Sequence, residues 1–307
     1  MAVHVIGNAC IDTTFRADRL PRPGETVNAE GSVEDLGGKG LNQAVAARRA
    51  GAKVHLWAMV GDDLAGGRIA DCLAAEGIGA ERLERISRPT DRSIVIVDRC
   101  GENMIVSEVG CARLFDPFGG SGAANWLGLA DWVILQGNLR PQATKRIVSE
   151  VRARGCLILY NASPLDASET ALPGLVDVLV VNRQEAYALS GLEAPVDPTL
   201  ALVGKGAAAV VVTLGGDGVM FRDQEGPGSF PAYPVSTIDT SGAGDVFIGV
   251  LAAGLHRGLA LAAAVASANQ AGAIATTRQG TLSACPTRDE LAELMRQTVP
   301  RWSRDDT

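Results

Sequence analysis

Short apolar runs recur along the chain as VHVI, KVHLWAMV, ADWVILQ, CLILY, VDVLVV and AAAVVVTL. Between most of them lie Ala-rich segments such as GLNQAVAARRAG, LAGGRIADCLAAEG and QATKRIVSEVRARG. This alternation predicts βαβ units, hence a parallel sheet covered by helices. Two stretches break the rhythm. AEGSVEDL (29–36) and SIVIVDRCGENMIVSEV (93–109) read as strands without helices, the second as a hairpin turning at Asp98 to Glu102. A small sheet lying over the main one gives them a role. After residue 240 the pattern is helical almost to the end, through LAAAVASANQAGAIAT and TRDELAELMRQTV, and these helices are expected to close the sheet's far edge.

Composition narrows the picture. The chain has 307 residues, 47% of them hydrophobic, enough to bury about three-quarters of its unfolded surface as one large domain or a domain with an appendage. Its formal charge is −7 and no block of basic residues occurs, so it carries neither a nucleic-acid nor an anionic-membrane footprint and small soluble substrates are favoured. The start, MAVHVIGNACID, has no charged segment ahead of an apolar run, and no apolar stretch reaches the roughly 18 residues of a membrane span. A cytoplasmic location is the expectation. Six scattered cysteines without a C-x-x-C pair, and three distant histidines, predict reduced thiols and no zinc site.

Candidate chemistry gathers in two glycine-rich turns. DTSGAGD (239–245) runs into VFIGVLAAGL, so a small-residue turn ends at a helix start. A helix N-terminus carries partial positive charge and unpaired N–H donors that suit an anion such as a phosphoryl group. A carboxylate there, Asp245, repels such a ligand unless it accepts a proton from an attacking hydroxyl. The plain alternative is that Asp239 or Thr240 caps the helix and Asp245 is an ordinary first-turn acid. LGGKGLNQAVAARRAGA (36–52) again sets glycines before a helix, with Lys39 and Asn42; a simple loop and helix start is its alternative. Neither turn is a G-x-x-x-x-G-K-[ST] loop, and G-x-G-x-x-G is absent, which disfavours P-loop and dehydrogenase readings.

Taken together the two turns resemble the N-terminal and C-terminal signatures of the ribokinase-like sugar kinases, the phosphofructokinase B family. NACID, GENMIV, VNRQE (181–185), VTLGGDGV (212–219) and ATTRQG (275–280) fall in the family's order. The resemblance implies a three-layer α/β/α sandwich with a mostly parallel central sheet and a small β-sheet lid. One domain over 1–307 is expected, with lid strands drawn from about 13–36 and 93–112, and lids of this family often pair between two subunits.

Carried over, the resemblance makes Asp245 the base, with Gly242, Ala243 and Gly244 supplying N–H groups toward the migrating phosphoryl charge. Asp12, Gly38, Lys39, Asn42 and Asn138 would form the acceptor pocket. Asn182, Thr213, Gly215, Gly218 and Asn269 would lie along ATP, and Asn182 with Glu185 would hold Mg²⁺ through its waters. Asp239 would sit near a monovalent cation such as K⁺. A β-turn between two strands also accounts for LGGDG, and a solvated helix residue for Glu185.

The acceptor stays open. Where ribokinases typically show asparagine two residues before the aspartate, this chain has Cys10; Asn138 stands for a usual glutamate; and GCAR (110–113) replaces GAN. A free pentose or hexose is preferred on Asp12 and Asn42. A nucleoside, with Phe15 and Phe115 as aromatic platforms, comes second. A sugar phosphate clamped by Arg113 or Lys39 comes third. A kinase-like protein that binds sugar or nucleotide without catalysis is the non-enzyme alternative.

Overall fold

The computed structural model describes residues 1–100, 103–119, 126–166, 172–194 and 196–297. Each apolar run noted above forms a strand: β1 (Val3–Ile6), β4 (Val54–Gly61), β8 (Trp132–Gln136), β9 (Leu157–Asn161), β10 (Val178–Asn182) and β11 (Ala209–Thr213). They belong to a nine-stranded sheet that also holds β5 (Gly79–Ile86), β12 (Val219–Asp223) and β13 (Gly226–Phe230), in the order β13-β12-β11-β10-β9-β8-β1-β4-β5. Pairing is parallel from β5 through β11, and antiparallel only where β12 and β13 are added. The edge strand β5 carries four charged residues in GAERLERI, which hide it from an apolar search and suit an edge that must not recruit another strand.

Helices cover both faces. α1 (Lys39–Arg49), α2 (Leu64–Glu76), α7 (Ala243–His256), α8 (Leu261–Ala275) and α9 (Arg288–Gln297) share one hydrophobic cluster with Val3, Val5 and Leu56. On the opposite face α3 (Gly110–Leu114), α4 (Pro141–Ala153), α5 (Arg183–Ser190) and α6 (Thr199–Gly204) pack with Ile6, Val133 and Leu135. Successive strand residues thus feed opposite layers, the period of a sheet buried on both sides. The C-terminal helices therefore do not close an edge, as the sequence suggested. α7 and α8 lie on a face because VFIGVLAAGL is apolar all round: its residues Val246 to Gly254 are all buried, which an edge position would not allow. No helix among the described residues is long and apolar enough to cross a membrane.

The stretches without helices make the separate four-stranded sheet β3-β2-β6-β7, from β2 (Cys10–Ala17), β3 (Ala29–Gly37), β6 (Arg92–Val97) and β7 (Asn103–Glu108). The hairpin between β6 and β7 is present, with Ile94 opposite Val106 and Ile96 opposite Met104. Its expected turn falls partly on 101–102, outside the described residues. Strand alternation gives this lid an inner face, carrying Asp12, Thr14, Ser93 and Ser107 over a cavity, and an outer face with Phe15, Ile94 and Val106.

α1 and α7, which follow the two glycine-rich turns, cross closely. A Cβ added to Gly249 would lie 2.6 Å from the Ala46 Cβ and 2.6 Å from the Gln43 carbonyl oxygen. Gly249→Ala is therefore expected to push the helices apart and destabilise the fold by about 1–3 kcal/mol, the usual cost of overpacking. Urea or thermal unfolding measures this; a variant as stable as wild type would show that the contact can relax freely.

Candidate active site

Gly242 is the N-cap of helix α7, and its φ of 73° is left-handed, a conformation adopted without strain only by glycine. No side chain caps this end. Asp239 instead shapes the turn before it, accepting from the Ser241 and Gly280 N–H groups at 2.9 and 3.1 Å. Burial alone would raise the Asp239 carboxyl, but these N–H bonds and nearby Arg16 hold it below the ordinary aspartate range. The capping alternative for DTSGAGD is thus not what the structure shows. Asp245 stands in the first turn, only 7% exposed. Its partners lie on the other helix: Asn42 Nδ2 donates to Oδ2 at 3.1 Å, and Gln43 Nε2 to Oδ1 at 2.9 Å. The close α1–α7 crossing brings together residues 202 and 203 positions apart in sequence.

Asp245 faces a cavity of about 480 Å³ between the lid and the main sheet. Gly38, Lys39 and Asn42 from α1 and its turn line it, together with Asp12 from β2, Asn138 from the loop after β8, and Asp239 and Gly242 before α7. Asp12 is 9% exposed. Its carboxylate accepts from the Cys10 thiol and the Thr281 hydroxyl, each at 3.3 Å. Burial raises the Asp12 carboxyl above its ordinary value despite these bonds, and Asp35 adds to the rise. Asn42 Oδ1 and Asn138 Oδ1 are buried acceptors without a protein partner, groups that a ligand hydroxyl would satisfy. Ser93 and Ser107, joined at 3.0 Å, extend the polar wall into the lid.

A smaller cavity of about 130 Å³ lies on the other side of Asp245. Asn182, Glu185, Thr213 and Gly244 line it, and Lys39 and Asp245 are common to both cavities. Asn182 caps α5 in a reciprocal box: Glu185 N donates to Asn182 Oδ1 at 2.9 Å, and Asn182 N to Glu185 Oε2 at 2.8 Å. The plain role of Glu185 as a helix residue is therefore real, yet the same side chain borders the cavity.

Several expected residues stand elsewhere. Ala243 lines neither cavity, and its N–H turns back to the Thr240 carbonyl at 3.4 Å. Gly215, Gly218 and Asn269 also lie outside both cavities. Gly218 is needed for the β11–β12 turn: its φ is 96°, and a Cβ would meet the Phe230 carbonyl at 2.2 Å. Asn269 Nδ2 donates to the Pro231 carbonyl at 2.8 Å. Phe115 is 0% exposed in the core, and Phe15 sits on the outer lid face, so neither offers an aromatic platform to the cavity. Arg113 does not reach it either.

Sequence reasoning passed over Gln43, Thr281, Ser93 and Ser107. Gln43 directly follows Asn42 in GGKGLNQ, and only the helical geometry shows that both amides meet one carboxylate. The strand alternation of SIVIV does place Ser93 on the face opposite Ile94, a signal that was available.

The fold state of Asp12 yields a measurable consequence. A carboxyl raised by burial favours the protonated native form, so its charge destabilises the fold increasingly as pH rises through that raised value. Asp12→Asn is expected to melt at or above wild type at about pH 7.5, with the difference shrinking toward about pH 4.5. A variant that melts well below wild type at the higher pH would contradict this.

Residues 2–288 match the pfkB family carbohydrate kinase profile. Ribokinase of Bacillus subtilis (strain 168) is 30% identical over 291 residues, covering 95% of this chain and 98% of the relative. Ribokinase of Mus musculus is 31% identical over 302 residues, covering 94% and 93%. The crystal structure of ribokinase from Thermotoga maritima superposes with a TM-score of 0.86 at 27% identity, over 96% of this chain and 99% of that one. A match over nearly the whole length, on a fold whose two signature turns meet at Asp245, places this chain in the pfkB family of carbohydrate kinases.

Proposed function

We propose that this protein transfers the γ-phosphoryl group of ATP to a hydroxymethyl group of a free pentose or hexose, with Asp245 as the base. The observation that carries this reading is that Asp245 and Lys39 are shared by the large and the small cavity. The large one takes the acceptor, and the small one, at the start of α7, takes the phosphates. In the transfer the acceptor hydroxyl gives its proton to Asp245 while its oxygen bonds to the γ-phosphorus. The bond to the bridging oxygen breaks, and its electron pair leaves on ADP. Gly242 and Gly244 border the point of transfer, where the start of α7 favours negative charge.

Glu185 and Asn182 fit Mg²⁺ held through water. The cap uses Glu185 Oε2 and leaves Oε1 outside the box, on a side chain of the cavity lining, and Mg²⁺ keeps several waters in place of protein ligands. When bound, the ion neutralises phosphate charge. The residues around Asp239 do not complete a side-chain donor set for K⁺. The Ser283 hydroxyl donates to Asp35 at 2.7 Å, and Arg16 stands 3.9 Å from Asp239.

Charge selects among acceptors. Among the described residues, Asp12, Asp35, Asp91, Glu108, Asp239 and Asp245 line the large cavity against only Lys39 and Arg16, an environment that repels a phosphate already on the sugar. Neither Phe15 nor Phe115 lines the cavity, so the aromatic platforms expected for a nucleobase are missing from its described walls, and of the two cations expected to clamp a sugar phosphate Lys39 lines it and Arg113 does not. The free sugar is favoured by Asp12, whose ionised carboxylate accepts from two hydroxyls, and by the unpartnered Asn42 and Asn138 oxygens. A silent homologue would have no need of a buried carboxylate such as Asp245 between the two cavities.

The test is a panel of free pentoses and hexoses, nucleosides and sugar phosphates assayed with ATP and Mg²⁺ for ADP release. ADP should form only with an acceptor, at the highest kcat/KM for a free sugar. Asp12→Ala should raise that sugar's KM about 10-fold or more, with the ATP KM little changed, since hydrogen bonds to a charged group are strong. Acceptor-independent hydrolysis, or a sugar phosphate as the best substrate, would overturn the assignment.

A further inference from the structure

Gln43 is 0% exposed and lines neither cavity, so it stands behind the walls of both proposed substrate sites. A fully buried primary amide beside a carboxylate still needs a physical account. Its Nε2 donates to Asp245 Oδ1 at 2.9 Å and, at longer range, to Asn161 Oδ1 at 3.4 Å. Its Oε1 accepts from Gln136 Nε2 at 2.7 Å. Turning the amide over would set oxygen against the carboxylate and NH₂ against the NH₂ of Gln136, so its orientation is determined. The neighbouring amide is oriented in turn: Asn161 Nδ2 donates to the Val180 carbonyl at 3.4 Å, which leaves Asn161 Oδ1 facing Gln43.

The two oxygens of Asp245 therefore differ. Oδ1 is bound to Gln43 in the interior, whereas Oδ2 is bound to Asn42, a residue of the acceptor cavity wall. We propose that Gln43, oriented by Gln136, is a positioning residue that fixes the Asp245 carboxylate so that Oδ2 takes the acceptor's proton. The proposal rests on the reading of Asp245 as the base. In the transfer the hydroxyl proton moves to Oδ2, the acceptor oxygen's pair forms the new O–P bond, and the pair of the broken P–O bond leaves on ADP. Oδ1 keeps its bond to Gln43 throughout, so the carboxylate does not rotate away from the acceptor.

The test compares Gln43→Met and Gln43→Glu, which keep length and volume but remove the neutral donor, with wild type. Turnover is counted per ATP-binding site, measured by calorimetry, so that loss of folded protein does not register as loss of kcat. Both variants should lose about 10- to 100-fold in kcat, the scale of one hydrogen bond to a charged group. KM for ATP and for the sugar should stay within about threefold, because neither substrate touches Gln43. If the Gln43 variants do not fold, Gln136→Met, which frees the Gln43 amide to turn, should give a smaller loss of the same kind. A kcat within about twofold of wild type, or a raised sugar KM at unchanged kcat, would overturn the positioning role alone. Wild-type protein that shows no acceptor-dependent turnover would overturn the kinase reading along with it.

Discussion

The contact between α1 and α7 is the constraint on which the site depends. Two helices with glycine-rich starts lie face to face, and at their crossing Gly249 meets Ala46 and Ala47 with no room for a Cβ. That proximity lets two amides of α1 reach one carboxylate of α7 and hydrogen-bonds both of its oxygens where the side chain is buried from bulk water. It also fixes the separation of the two cavities, since Lys39 at the start of α1 and Asp245 at the start of α7 form their common wall. A bulkier residue at the crossing would displace the chemistry together with the packing.

Around that contact the molecule sorts charge by function. The lid and the cavity beneath it carry carboxylates and hydroxyls, a lining that accepts hydrogen bonds from a neutral polyol and disfavours anions. The small cavity, the proposed phosphate side, is built from a helix start, a lysine and a capped α5, with Glu185 among its acids. Burying Asp12 costs stability, which the raised carboxyl reflects. Such a cost is usual for a group kept for binding rather than for folding.

Much of this was legible in the sequence. Buried parallel strands read as short apolar runs, and the lid strands showed as stretches that broke the helical alternation. Asp12, Gly38, Lys39, Asn42, Asn138 and Asp245 do meet around one cavity, and Asn182, Glu185 and Thr213 around the next. What could not be read was two-sided. The edge strands β5 and β13, and β12 next to β13, are charged or glycine-rich, because the margins of the sheet are not buried on both sides and lack the apolar signal. Gly218 and Asn269, expected along the nucleotide, line neither cavity; Gly218 shapes a turn and Asn269 bonds the Pro231 carbonyl, and neither residue type carries a signal that separates such a role from a nucleotide contact. Gln43 was missed because a glutamine in an amphipathic helix looks solvated until a second helix, 202 residues away, supplies its partner.

The account stands on Asp245 as a proton acceptor rather than a structural acid. Asp245→Asn keeps the shape and can still bond Asn42 or Gln43 through its oxygen, but it cannot take the proton. Single-turnover phosphoryl transfer to the best acceptor, alongside ATP binding by calorimetry, measures the difference directly. The account predicts a transfer rate lowered about 10²- to 10⁴-fold, with ATP bound as tightly as by wild type or more tightly. Transfer within about tenfold of the wild-type rate, with ATP affinity intact, would contradict it.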